Sequence, residues 1–304
     1  MPLGIRPTVD FAFKKIFGSP QNSEALIGLL NAILALEHPV EHVEILNPFS
    51  YQEFADNKLV ILDVRCRDSA GRYLNVEMQV SAYGGLIERL VYYACSMYVD
   101  QLAIGGNYAL AAPAISICLL SHRLFPERDQ AHHRFEMLDR ISGTRIDNGI
   151  EIHTVELTKY TSDVTSIARA SCIEQWAFLL LHAQDYEPDE LASLLPGVGF
   201  RSAIETIRVI SAKTEDKEMY DQREKAQRDY EWALSGAREE GLEQGLERGL
   251  EQGREEGELI GKIQMLEDLL GEMPTKKDEL LSQGISALSL RASVLQERLH
   301  QRRG

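Results

Sequence analysis

Asp63 and Glu77 lie on neighbouring segments in which polar and apolar residues alternate, 59–67 and 73–80. Alternation with a period of two predicts strands that send successive side chains to opposite faces of a sheet. A three-residue hairpin loop between them, with Gly71 in the left-handed conformation, would place Asp63 directly opposite Glu77. The sequence therefore predicts two carboxylates facing one point.

Like charges directly opposite each other on paired strands are destabilising, so this pair calls for a cation. Oxygen ligands of this kind suit Mg²⁺ or Mn²⁺, held by one or two carboxylates together with water and a substrate phosphate. The alternative interpretation is a solvated sheet face, on which Arg65 lies diagonal to Glu77 and neutralises it at little energetic gain. Spacing alone leaves both interpretations open.

Other kinds of chemistry find no support in the sequence. Its histidines lack nearby cysteines and an HExxH pattern, and no phosphate-binding GxxxxGK[ST] motif is present. The four cysteines lie far apart, which favours reduced thiols in a cytoplasmic protein over a disulfide framework or a zinc site: Cys66, Cys95, Cys118 and Cys172. No apolar run approaches the roughly 18 residues of a membrane span, so we expect no membrane association.

The elements that must position these residues can be read from periodicity. Helical patterns cover 25–34 and 84–105, and strand patterns cover 43–48, 59–67, 73–80, 114–120 and 150–157. From residue 161 onward only helical patterns follow. This order predicts an α+β (mixed α/β) fold with an all-helical C-terminal half.

The net charge limits the partners that the protein can bind. The chain has 32 basic and 47 acidic residues, which gives a formal charge of −15. Proteins that bind nucleic acid by neutralising phosphates usually carry a basic patch or stripe, and none is visible in the linear sequence. A nucleic-acid partner would have to be held by local clustering in the fold, by bound metal ions or by weak contacts.

Several motifs resemble one nuclease family. Asp63 followed by Glu77-Met78-Gln79 resembles the D…(D/E)xK signature of restriction-endonuclease-like nucleases. The surrounding segments are similar to the Rpn-type recombination-promoting nucleases of bacteria, the PD-(D/E)XK nuclease family transposases: 10–18, 75–79, 88–93 and 156–159. The similarity covers roughly residues 5–235.

The resemblance implies a restriction-endonuclease-like core of α-β-β-β-α-β order and metal-dependent cleavage of DNA phosphodiesters. It implies that Asp63 and Glu77 hold the metal, Mg²⁺ or Mn²⁺. Gln79 stands where the family signature has lysine, and glutamine can hydrogen-bond but supplies no charge to the phosphate. Arg89, on the helix after the hairpin, is a candidate for the missing charge, with an exposed structural arginine as the alternative.

Two further candidates lie near the N-terminus. Asp10 and Lys14 are one helical turn apart if their segment is a helix, and they either join the catalytic site or cap and solvate that helix. Glu24, on the first core helix, is a weaker candidate.

The composition changes near residue 236, where glycine recurs every four residues within Glu, Gln, Arg and Leu: Gly241, Gly245, Gly249, Gly253, Gly257 and Gly261. Each glycine costs a helix about 1 kcal/mol relative to alanine. The repeat is either a close-packing surface for a partner helix or a solvated arm. We therefore divide the chain into a nuclease-like core (1–160), a helical extension (161–235), and a glycine-repeat tail with a terminal amphipathic segment (236–304), and expect a homo-oligomer through the tail.

These observations predict a cytoplasmic, metal-dependent DNA endonuclease that acts in recombination or on mobile-element DNA. Two alternatives remain open. One is a catalytically weak or inactive nuclease-fold module that binds DNA or protein, and the other is an oligomeric helical scaffold.

Overall fold

A computed structural model describes residues 1–51, 63–81, 84–102, 107–146 and 149–303, with only the backbone described for Asp63 and Arg303. The described helices are α1 (Asp10–Phe17), α2 (Glu24–Leu34), α3 (Leu86–Val99), α4 (Cys172–His182), α5 (Pro188–Leu194), α6 (Val198–Ala212), α7 (Thr214–Leu269), α8 (Lys277–Leu281) and α9 (Ile285–Arg303). The described strands are β1 (Val43–Ile45), β2 (Asp63–Asp68), β3 (Tyr73–Gln79), β4 (Ala114–Leu120), β5 (His132–Glu136) and β6 (Ile150–Glu156). Contacts divide the chain into two compact units, 1–229 and 230–304.

The described strands of the first unit form one mixed sheet in the order β1-β2-β3-β4-β6-β5. Strands β3, β4 and β6 are parallel, and the other neighbouring pairs are antiparallel. The predicted hairpin register is confirmed, because Asp63 pairs with Glu77. Gly71 has φ of 83°, the left-handed conformation that the short loop requires.

Apolar side chains cover the two faces of this sheet unequally. On one face, Val76 and Ile117 are fully buried in a large core cluster that also contains residues of α1, α2, α4 and α6. On the other face, Leu86 and Leu90 of α3 pack on Cys118 and Leu120 of β4 in a smaller cluster. Helix α3 thus covers the face that carries Glu77, since Cys118 is the neighbour of Glu77 in the sheet.

Strand β5 was not predicted. Its sequence, His132 to Glu136, shows little apolar alternation, and its side chains are half-buried or exposed at the end of the sheet. An edge strand needs only one hydrogen-bonded neighbour, here β6, so a continuous apolar face is not required to hold it.

The helical pattern expected from residue 161 onward also begins later in the structure than in the prediction. Helix α4 starts at Cys172, where Ser171 and Glu174 form a capping box in which each side chain binds the other residue's backbone N–H. Residues before it form a short 3₁₀ turn, Ile167–Arg169. A capping box fixes the helix start independently of the apolar pattern on its N-terminal side.

The second unit contains the rest of α7 together with α8 and α9. Apolar residues of these helices form a separate core cluster: Ile260, Ile263, Leu266, Leu270, Leu280, Leu288, Ala292 and Leu295. The terminal amphipathic segment, expected as one stretch, is two helices, α8 and α9, because Gly284 has φ of 74° and interrupts it. No helix among the described residues is long and apolar enough to cross a membrane.

Candidate active site

Glu77 lies near the end of β3, and its side chain is fully buried. The other polar residues on the same face of the strand are also buried, with Asn75 2% and Gln79 6% exposed. The alternative interpretation, a solvated polar face, is therefore wrong for β3. The reason is tertiary: α3 packs over this face, which a pattern of alternating residues cannot reveal.

Arg89 and Gln79 surround the carboxylate of Glu77. Arg89 Nη2 lies 3.8 Å from Glu77 Oε2, and the guanidinium side chain is one-third exposed. The amide of Gln79 donates to the same oxygen at 3.4 Å. Arg89 is held at the start of α3, where its backbone N–H binds the carbonyl of Gly85. The alternative of a freely exposed arginine does not describe this residue, since it contacts the buried carboxylate.

The charges of Glu77 and Arg89 affect the pKa of Cys118, which lies beside Glu77 on the adjacent strand β4. Burial is the main reason that the pKa of its thiol is raised well above the usual value, and the negative charge of Glu77 adds to the shift while Arg89 opposes it. An apolar environment strengthens electrostatic interactions with any charged group that enters it. Glu77 therefore lies where a bound cation would interact strongly.

Asp63 begins β2 directly opposite Glu77. Directly opposed positions in antiparallel strands have Cβ atoms about 4.5–5.5 Å apart. The side chain of Asp63 lies outside the described part of the structure, so the register places the two residues, and not their carboxylates, side by side.

Asp10 and Lys14 both lie on α1, and both are buried, 6% and 3% exposed. They therefore do not solvate their helix. The carboxylate of Asp10 accepts hydrogen bonds from the guanidinium of Arg223 on α7, including one at 2.8 Å from Nε, and from the backbone N–H of Phe11 at 2.7 Å. Through these contacts, Asp10 joins α1 to the N-terminal part of α7. Glu24 is exposed.

Another buried carboxylate, Glu156, ends β6. It pairs across the sheet with Leu120, which in turn pairs with Gln79. Glu156 Oε2 lies 3.0 Å from Lys159 Nζ, and both side chains are almost fully buried. In the sequence, this Glu-x-x-Lys segment stands out only as part of the family resemblance. The position of Glu156 at the end of a strand was the signal that could have marked it as a candidate residue.

The histidines form contacts of their own on β5 and β6. His132 Nε2 lies 2.7 Å from His153 Nδ1, and burial lowers the pKa of His132 to about 4. Within the described ranges, no group of three or more His, Cys, Asp or Glu residues could hold a metal ion. All four cysteines, which lie within these ranges, are free thiols.

A mixed α/β unit thus buries a glutamate near the end of one strand, and the backbone of an aspartate lies opposite it on the hairpin partner. The chain matches the family model described as PD-(D/E)XK nuclease family transposase over residues 7–237. The chain belongs to that family, as its motifs predicted. No curated protein and no solved structure gives a significant match.

Proposed function

We propose that the protein is a divalent-metal-dependent endonuclease that hydrolyses DNA phosphodiester bonds during recombination or on mobile-element DNA. The observation that carries the proposal is the fully buried Glu77 opposite Asp63 on the hairpin, in a chain of this nuclease family. A buried carboxylate beside a second one is costly unless a cation is bound. A cytoplasmic location is part of the proposal and agrees with the free cysteines.

The residues at this site fit Mg²⁺ or Mn²⁺. Such ions use one or two protein carboxylates and complete their shell with water and substrate phosphate, so a cluster of three protein ligands is not required. Asp63 and Glu77 would hold the ion, and the amide of Gln79 supplies a further polar group beside Glu77. A bound metal would lower the pKa of a water molecule and stabilise negative charge on the phosphate.

The protein's own residues orient the site. The amide of Gln79 occupies one side of Glu77 Oε2, and the carboxylate has other lone pairs that can bind a metal ion. Gln79 brings no positive charge, and Arg89 would supply it; its position 3.8 Å from Glu77 Oε2 supports this role. The Arg89 side chain is one-third exposed, and a guanidinium can bind the oxygens of a carboxylate or of a phosphate.

Plasmid cleavage tests this proposal. Supercoiled plasmid should be nicked with Mg²⁺ and remain intact with EDTA. Asp63→Asn and Glu77→Gln should each abolish nicking while the circular dichroism spectrum is retained, because each removes a metal ligand and relieves carboxylate repulsion. Metal-dependent cutting that survives both substitutions contradicts the site. Unfolding of either variant favours a structural role for these residues.

A nuclease-fold module that binds DNA without cutting is the second candidate, and the replacement of the signature lysine by Gln79 favours it. Binding of a labelled duplex by the wild-type chain, with no nicking in Mg²⁺ or Mn²⁺, would establish that function instead.

We further propose that the glycine-repeat tail pairs two copies of the chain. An active site of this class cuts one strand, so a double-strand break needs two sites. The supporting observation is an exposed helical stripe: no atom lies within 4 Å of a Cβ placed on Gly245, Gly249 or Gly253, so another helix can approach the backbone closely.

Light scattering tests this pairing. We expect at least a dimer for the intact chain and a monomer after truncation near Ser235, which should nick plasmid but seldom linearise it. A monomeric intact chain, or an oligomer that truncation leaves unchanged, contradicts pairing and identifies the tail as a solvated arm.

A further inference from the structure

The loop of residues 121–131 leaves the sheet beside the candidate active site. Its first residue, Ser121, donates its backbone N–H to the carbonyl of Gln79 at 3.1 Å and its hydroxyl to the carbonyl of Val80 at 2.7 Å. These bonds join the start of the loop to the end of β3. The loop therefore borders the edge of the sheet at which Glu77 and Gln79 lie.

The Glu156–Lys159 ion pair holds the backbone of this loop through hydrogen bonds. Glu156 accepts the backbone N–H of Leu124 at 3.0 Å. Lys159 Nζ donates to the carbonyl of Phe125 at 2.9 Å and to that of Gln130 at 3.0 Å. Since both charged side chains are almost fully buried, they lie too deep to contact a macromolecule. Their contacts instead fix the course of the loop backbone.

Arg123 is the charged residue between these two anchor points. Its side chain is exposed, and it forms no ion pair with any residue that the structure describes. It lies two residues from Ser121, so their Cα atoms are at most about 7 Å apart. The neighbouring His122 is half-buried, and burial lowers the pKa of its imidazole, which leaves it neutral near pH 7. The loop carries two exposed arginines, Arg123 and Arg128, and Arg123 is the one closer in sequence to Ser121, which is bonded to the end of β3.

We propose that Arg123 binds a backbone phosphate of the DNA strand that enters the candidate active site, with Glu156 as the positioning residue that holds its loop. The inference rests on the proposed function and names a local cation for a chain whose overall charge is negative. A guanidinium matches phosphate oxygens in charge and geometry. An anchored loop spares the cost of ordering that cation when DNA arrives.

Equilibrium binding of a fluorescently labelled DNA duplex to the full chain in EDTA tests the inference. Arg123→Gln should weaken binding several-fold, and the slope of log K against log salt should shrink by about one phosphate contact. Arg201→Gln is the matched control, because Arg201 is also exposed and has no ion pair among the described residues. It should leave both quantities unchanged.

The role of Glu156 is tested in the same assay. Glu156→Gln should weaken binding about as much as Arg123→Gln, and the double variant should be no weaker than either single variant, because both act through one contact. If Glu156→Gln does not fold, Arg123→Lys serves instead: it keeps the charge and should restore part of the affinity and the salt slope.

Two failures are distinguishable. If Arg123→Gln and Arg201→Gln behave alike in a chain that binds and cuts DNA, the inference is overturned and the nuclease function stands. If the wild-type chain neither binds the duplex nor nicks plasmid, the proposed function and the inference both fall.

Discussion

Carboxylate side chains lie in opposite environments in the region around Glu77 and in the glycine repeat of α7. At the site, Glu77 is completely buried and contacts Arg89 and Gln79. In α7, every residue from 232 to 255 is exposed, and the abundant glutamates remain in water. The comparison shows that the same residue type is buried and held by polar contacts in one region and lies in water in the other. Burial by tertiary packing makes the difference.

The buried Asp10–Arg223 pair should show the largest effect on stability. Arg223→Met leaves a buried carboxylate without its cation, which we expect to cost about 3–5 kcal/mol. Arg228→Met is the control, since the exposed Arg228 lies 3.9 Å from Glu224 and such pairs contribute at most about 1 kcal/mol. Urea denaturation measures both. Equal losses would mean that burial does not set the value of these pairs.

A double variant sharpens this result. Asp10→Asn combined with Arg223→Met removes both charges, and the oxygen of the introduced amide can still accept the N–H of Phe11. We expect the double variant to recover most of the stability that Arg223→Met loses. No recovery would show that the guanidinium acts through packing and not through its charge.

One substitution, glycine to alanine, should have opposite signs in the two regions. At Gly199, a Cβ would lie 2.9 Å from the backbone oxygen of Glu24, so Gly199→Ala should destabilise the first unit by about 1–3 kcal/mol through overpacking. At Gly245 nothing lies within 4 Å, and Gly245→Ala should favour the helix by up to about 1 kcal/mol. Circular dichroism during thermal unfolding compares the two variants. Destabilisation by Gly245→Ala, together with loss of oligomers, would instead support close helix pairing.

The candidate active site can be tested by introducing, at position 79, the positive charge of the lysine in the family signature. Gln79→Lys should raise the nicking rate, but by far less than the roughly 100-fold that a preorganised donor contributes, because Arg89 already places a cation nearby. Initial nicking rates at saturating Mg²⁺ measure this. A clear fall in rate would give the glutamine amide a specific role as a ligand of metal or water.

The smallest expected effect concerns pH. Because burial lowers the pKa of His132 to about 4, the unfolded chain binds a proton more readily than the folded chain between pH 6.5 and about 4. Stability should therefore fall as pH decreases through this window. His132→Gln should reduce that part of the pH dependence, while the exposed control His300→Gln should not. Equal slopes in both variants and the wild type would assign the dependence to other groups.

Local pattern determined much of this protein. Alternation and a glycine-containing loop were enough to place Asp63 opposite Glu77, because hairpin register depends on residues close in sequence. Periodicity likewise predicted most core strands and helices, and the motifs predicted the family.

Only the tertiary structure decided which polar residues are buried and what they contact. Asp10 binds Arg223, 213 residues away, and Glu156 with Lys159 fastens a loop whose backbone no pattern describes. The polar face of β3 became an interior site because α3 packs on it. Each of these contacts joins segments distant in the chain, and hydrophobic periodicity carries no information about such partners.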